Sequence, residues 1–277
     1  MHVSGAVAVV TGASRGIGRS TALALSDAGA AVGLGARSVE ALESVAREIG
    51  ERGGRALAVP TDVRERAQAE RLVRTVSAEW GRVDLVVANA GVYMRRPALQ
   101  MTSEEVRGSL EINFFGSLYP ILEALPQMVA RRQGHIVVVS SLDGRRALPG
   151  DGPYAIAKGA LAGLVQVLRQ ELRPAGVGVT GVFPGRIDTA MIADLQVPWI
   201  SKKAPPAKLA RAMVRAIEHD RPEVVFPPSD RLLLYADLVS PQLTEWAIAR
   251  MRLSGWHSRP SEPRRSAARP PRRAGPR

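Results

Sequence analysis

Tyr154 and Lys158 stand four residues apart in "PYAIAKGAL", and on a helix that spacing puts both side chains on one face. Ser141 lies 13 positions before the tyrosine, at the end of the apolar run "HIVVVSS". A phenol, an ammonium and a hydroxyl brought together form an acid-base device. A free tyrosine titrates near pH ~10 and a neighbouring ammonium favours its phenolate, so Tyr154 is expected to exchange a proton with a substrate hydroxyl or carbonyl oxygen. Ser141 is expected to hold that oxygen by a hydrogen bond and to stabilise the charge developing on it. A Tyr and Lys at helical spacing are common by chance; the serine at a strand mouth makes the set specific.

For these groups to meet, a strand must end at Ser141 and a helix must begin just before Tyr154, where Pro153 suits a first turn. The chain has that rhythm throughout. "AVAVVT" precedes a helical segment at 16–29, "AAVGLGA" one at 38–52, "RALAVP" one at 64–80 and "VDLVVAN" one at 103–131. "HIVVVSS" is followed by a helix over about 153–173, "VGVTGVFP" by one near 205–219, and "EVVFP" closes the series. Strand and helix in alternation imply an α/β fold, a doubly wound parallel sheet with helices on both faces. Ligands then gather at the carboxyl ends of the strands.

The first strand-to-helix connection reads "TGASRGIG", with Gly12, Gly16 and Gly18 spaced G-x-x-x-G-x-G. Glycines there permit a tight turn and the approach of a pyrophosphate to a helix start, whose free N–H groups and dipole favour an anion. By itself this pattern also fits a plain turn. After the second strand, where an NAD-binding fold usually carries an acid for the ribose 2′-hydroxyl, the sequence is "GLGARS", with Arg37 and Ser38. With Arg15 in the glycine turn, two guanidinium groups are available to clamp a 2′-phosphate, which favours NADP(H) over NAD(H). Either arginine also reads as an ordinary solvated side chain.

Composition narrows the classes. A chain of 277 residues suffices for one large α/β domain. It has no cysteine, and its four histidines, His2, His135, His219 and His257, are scattered. This excludes disulfides and thiolate chemistry and argues against a metal site. The start lacks a signal-peptide pattern and no run reaches the ~20 apolar residues of a membrane span, so a cytoplasmic protein is expected. Half of the +12 net charge falls after residue 252, where seven arginines face one glutamate. This Arg/Pro-rich stretch, 253–277, reads as a disordered tail beyond a domain of 1–252.

The motifs together resemble the classical short-chain dehydrogenases/reductases over about Val7 to Pro227. They occur in that family's order: "TGASRGIG"; Asp62-Val63; "ANAG" at 88–91; Asn113 in "EINFFG"; Ser141; Tyr154 with Lys158; and "PGRIDT" at 184–189. The resemblance implies a Rossmann-type NADP(H) domain and a catalytic set of Asn113, Ser141, Tyr154 and Lys158. It implies cofactor contacts from Gly12, Ser14, Arg15, Gly16, Ile17 and Gly18, and from Arg37 and Ser38. Asp62 would bond the adenine amino group beside Val63, and Asn89, Ala90 and Gly91 would support the cofactor from the central sheet. Lys158 would also bond the nicotinamide ribose, and Asn113 would order a water leading from it. Pro184, Gly185, Ile187 and Thr189 would border the nicotinamide. Helix N-capping is the simpler role for Asp62, and a core hydrogen bond for Asn89 or Asn113. Ala88 departs from the asparagine frequent in the family, with little consequence.

The implied reaction interconverts a carbonyl and a secondary alcohol. The alternative is a catalytically silent NADP(H)-sensing regulator, against which the intact catalytic set argues. A third reading gives the basic tail a nucleic acid or anionic membrane partner, with only Trp256 to interleave aromatically; solvation is the simpler account. Met191, Ile192, Leu195, Val197, Trp199 and Ile200 suggest an apolar lid over the substrate pocket. Small residues on the catalytic helix (Ala155, Gly159, Ala162 and Gly163), with the family's habit of pairing there and through the helix at 103–131, imply a homodimer or homotetramer.

Overall fold

The computed structural model describes residues 1–198 and 201–257. Seven parallel strands form the central sheet: β1 (Val7–Thr11), β2 (Ala31–Ala36), β3 (Arg55–Pro60), β4 (Leu85–Ala88), β5 (Gly134–Val139), β6 (Val177–Pro184) and β8 (Glu223–Phe226). Their order is β3-β2-β1-β4-β5-β6-β8, so the winding reverses between β1 and β4. A crevice opens at the carboxyl ends of neighbouring strands whose connections leave in opposite directions. β7 (Leu195–Gln196) pairs antiparallel with β9 (Trp256–His257).

Alternate residues of each strand feed two separate cores, as the period of two requires. On one face Ala8, Val10, Leu85, Val87 and Val137 pack under α1 (Gly16–Asp27), α2 (Val39–Glu51) and α7 (Pro206–Glu218), through residues such as Leu25, Leu42, Ile49, Leu209 and Ile217. On the other, Val7, Val9, Val86, Ile136 and Val138 meet α3 (Arg66–Trp80), α5 (Gly116–Arg131) and α6 (Gly152–Leu172), through Leu72, Val76, Ile121, Met128, Leu161 and Val165. The helices follow the apolar stripes read from the sequence.

The segment 103–131 differs from a single helix. It is α4 (Ser103–Leu110), a π-helical turn over Glu111–Phe115, and α5. α4 starts from a full capping box of Thr102 and Glu105, and the wide turn has Asn113 at its centre. After β8 come two helices that the alternating pattern did not foretell, α8 (Arg231–Val239) and α9 (Pro241–Arg250). The described chain runs on through β9. The rest of the expected tail, together with Trp199 and Ile200, lies outside the described residues.

Candidate active site

A cleft of about 880 Å³ lies along the carboxyl edge of the sheet and receives residues from every strand connection there. Of the catalytic and cofactor residues expected from sequence, all but Gly18 line it. Gly12 and Gly16 have φ of +66° and +58°, backbone that other residues rarely adopt. A Cβ on Gly12 would stand 2.9 Å from the Ala90 Cα. Gly18 works beneath the turn, where a Cβ would collide with Gly12 O and stand 2.5 Å from Asn89 Nδ2. It lets α1 close on the sheet.

Asn89 ties the floor together. Its Nδ2 donates to Thr11 O at 2.9 Å, while Thr11 Oγ1 accepts the N–H groups of Asn89 (3.0 Å) and Ala90 (3.1 Å). Arg15 and Arg37 are exposed at the cleft edge. Ser38 also caps α2, its Oγ accepting Ala41 N–H at 3.3 Å. Asp62 does not cap a helix. Its carboxylate accepts Arg64 Nε at 3.1 Å on both oxygens, and that hydrogen bond holds its pKa below the ordinary carboxylate value. Arg64, to which no sequence motif points, thus adds a third guanidinium at this end.

The glycine cradle, free N–H groups at the α1 start and adjacent arginines fit an anionic dinucleotide. Gly91 leaves room for its polar neighbours, since a Cβ there would stand 2.6 Å from Asn113 Oδ1 and 3.5 Å from Lys158 Nζ.

At the far end α6 presents Tyr154 and Lys158 beside Ser141 from the mouth of β5, as their spacing predicts. Lys158 is buried; its Nζ donates to Val139 O at 2.9 Å and lies 5.6 Å from the Tyr154 ring centroid. Burial pushes its pKa down to about 8. Asn113 is also buried, its Oδ1 accepting Val92 N–H at 3.1 Å and its Nδ2 donating to Ser109 O at 3.0 Å. The core-bond role for Asn113 therefore holds, within the cleft wall.

Burial pushes the Tyr154 pKa upward, reinforced by Asp143; the Ser141 hydroxyl pulls the other way, and Asp151 adds a smaller push upward. Without an added positive charge, Tyr154 holds its proton.

Those carboxylates have no sequence signal because their burial is tertiary. Asp143 accepts Ser141 Oγ–H at 3.0 Å on Oδ2, and its own N–H donates to Ser141 Oγ at 3.1 Å. Asp151, 1 % exposed, accepts Tyr93 O–H at 2.9 Å and Arg95 Nε at 2.8 Å. Tyr93 meets Tyr154 edge-on, with ring centroids 4.9 Å apart. Arg186 and Asp230 complete this polar wall. Leu142, Leu148, Met191, Ile192 and Leu195 give the apolar side of the cleft, while Val197 does not reach it.

Burial and then Asp151 raise the Asp143 pKa to about 7. Between pH about 4 and about 7 the folded chain keeps a proton that the unfolded chain has released. The associated stability is complete at acid pH and is lost as pH rises through about 7. His135, pushed down to about 4 by burial, acts in the opposite sense. Melting temperatures of wild type and Asp143→Asn across this range separate the two: the variant is expected to gain relative to wild type as pH rises. A constant difference would assign Asp143 an ordinary pKa.

The sequence matches the short chain dehydrogenase family over residues 6–197. It is 36% identical over 194 residues to an uncharacterised oxidoreductase of Listeria monocytogenes, covering 69% of this chain and 78% of the relative. It is 40% identical over 190 residues to the glycine betaine reductase of Emericella nidulans, where the match covers 69% of this chain but only 15% of that protein. A solved alcohol dehydrogenase from Thermococcus sibiricus, complexed with 5-hydroxy-NADP, superposes with a TM-score of 0.71 at 30% identity, over 80% of this chain and 95% of that one. The chain belongs to the short-chain dehydrogenase/reductase family and is an NAD(P)-dependent dehydrogenase/reductase.

Proposed function

We propose that the protein is an NADP(H)-dependent oxidoreductase that interconverts a carbonyl and a secondary alcohol, with Tyr154 as the acid and base. The observation that carries this reading is the convergence of Ser141, Tyr154 and Lys158 in one cleft with the glycine turn and two exposed arginines. The nicotinamide, when bound, supplies or accepts the hydride. Ser141 and Tyr154 hold the reacting oxygen, and Tyr154, protonated in the cleft, donates to a carbonyl or takes the proton back from an alcohol. Lys158 Nζ, beside Gly91 and Asn113, bonds the ribose and lowers the cost of the phenolate once proton transfer occurs. Asp62 and Val63 receive the adenine, with Arg64 sharing the Asp62 carboxylate. Pro184, Gly185, Ile187 and Thr189 border the nicotinamide end. A screen of carbonyl compounds with NADPH, followed by its absorbance, tests the reaction; no turnover with tight NADPH binding would favour the sensing regulator.

Arg15 and Arg37 are exposed at the cleft edge, and their guanidinium groups would clamp a 2′-phosphate. NADPH is expected to bind more tightly than NADH by about 1–3 kcal/mol, the scale of charge-assisted hydrogen bonds. Dissociation constants for both, by fluorescence titration, check this. Equal constants would remove the clamp.

The substrate is a small carbonyl or alcohol with an apolar body, matched to Leu142, Met191, Ile192 and Leu195. A cytoplasmic homodimer or homotetramer belongs to the same reading. Ile156 and Val167 of α6 and Leu122 and Val129 of α5 are exposed beside the small residues of the catalytic helix, an apolar face suited to two-fold pairing.

A further inference from the structure

The two helices after the sheet carry a surface unlike the rest of the molecule. Leu232, Tyr235, Leu238 and Val239 of α8 and Leu243 and Trp246 of α9 are each between 61 and 87 % exposed. On α8, residues 232, 235 and 239 fall at i, i+3 and i+7, and thus on one stripe. Of α9 only Thr244 and Ile248 are buried. Large apolar side chains gathered in this way mark an interaction surface.

Of the acids near the patch, Asp237 Oδ1 pairs with Arg146 at 2.9 Å, and Glu245, itself 67 % exposed, lies 3.5 Å from the same guanidinium. Arg231, Arg250 and Arg252 are exposed at the helix ends. Apolar side chains flanked by cations supply the two attractions that a peripheral protein uses at a charged bilayer. A second copy docked about a two-fold axis would instead set one arginine-rich rim against another, a costly juxtaposition. A nucleic acid offers the arginines phosphate but leaves the leucines and Val239 in water.

We propose that the α8–α9 face, with the exposed arginines Arg231, Arg250 and Arg252 at its helix ends, docks the protein on an anionic lipid membrane surface. No helix among the described residues is long and apolar enough to cross a membrane, so the association is interfacial. The face also adjoins the cleft: Leu232 belongs to both, and Leu233, Met251 and Leu253 continue the lining inward. A bilayer on this face therefore stands at the cleft rim. On the carbonyl-reductase reading above, an apolar substrate would enter from the lipid without crossing bulk water.

Cosedimentation of the full chain with vesicles tests docking without any turnover, and so independently of the reaction assigned above. Binding to mixed phosphatidylcholine and phosphatidylglycerol vesicles is expected to exceed binding to phosphatidylcholine alone and to weaken with salt. Leu238→Asp with Val239→Asp, at two of the most exposed positions, is expected to lower binding at least about tenfold without disturbing the core. Arg231→Gln with Arg250→Gln is expected to reduce the salt dependence. Absence of wild-type binding to anionic vesicles would overturn the proposal, as would binding undiminished in the double variant. The proposal also fails if light scattering shows the double variant reduced to a smaller assembly while the wild type ignores vesicles; the face is then an interface between copies.

Discussion

Tyr154→Phe is expected to lower turnover at least about 100-fold, the usual scale for a lost acid-base group, while NADPH binding persists. The substitution removes one oxygen and leaves the ring packed edge-on against Tyr93, so the cleft keeps its shape. Lys158→Ala is expected to damage turnover and binding together, because the ammonium is assigned to both the ribose and the proton transfer. Steady-state rates alongside NADPH titrations separate these outcomes. A phenylalanine variant that reduced carbonyls at the wild-type rate would take proton transfer away from Tyr154. Equal binding by the alanine variant would take the ribose away from Lys158.

The second large effect concerns folding. Gly18 sits in the first turn of α1, where a helix would gain from alanine. The local gain loses to sterics, since the added carbon would strike Gly12 O and crowd Asn89 Nδ2, which holds Thr11. Gly18→Ala is expected to cost about 3 kcal/mol, the upper part of the range for overpacking. For a domain of this size that lowers the melting temperature by about 6–12 °C. Circular dichroism measures it, and an unchanged midpoint would mean that the turn yields freely.

The parallel sheet and its helices were legible because strands buried on both faces leave apolar runs, here "VAVVT", "LVVA" and "HIVVV", between segments of helical period. Ser141, Tyr154 and Lys158 were legible as a set because one strand end and one helix face fix them. The polar wall was not. Asp143 and Asp151 look like loop acids in "LDGRRALPGDG", and only the packing of that loop against α6 and the Tyr93 segment buries them. The Tyr154 phenol, pushed upward first by its own burial and then by Asp143, owes that direction to the same packing. α8 and α9 escaped because their exposed leucines blur the division between a buried and a solvent face on which helix recognition depends.

The π-helical turn makes the position of Asn113 a matter of counting. An i→i+5 turn accommodates one residue more than the regular helix, and everything after it is rotated by about 100° relative to an uninterrupted α-helix. Ser117 Oγ donates to Asn113 O at 2.8 Å within this widened region. Deleting a residue of Glu111–Phe115 other than Asn113 would let α4 run straight into α5 without the wide turn. Such a chain would still carry Asn113, yet it could not present it to Val92 while keeping α5 on the core. The alignment between the two ends of this long segment is therefore set by its length as strictly as by its letters, and an insertion or deletion there would be far harder to absorb than most single substitutions.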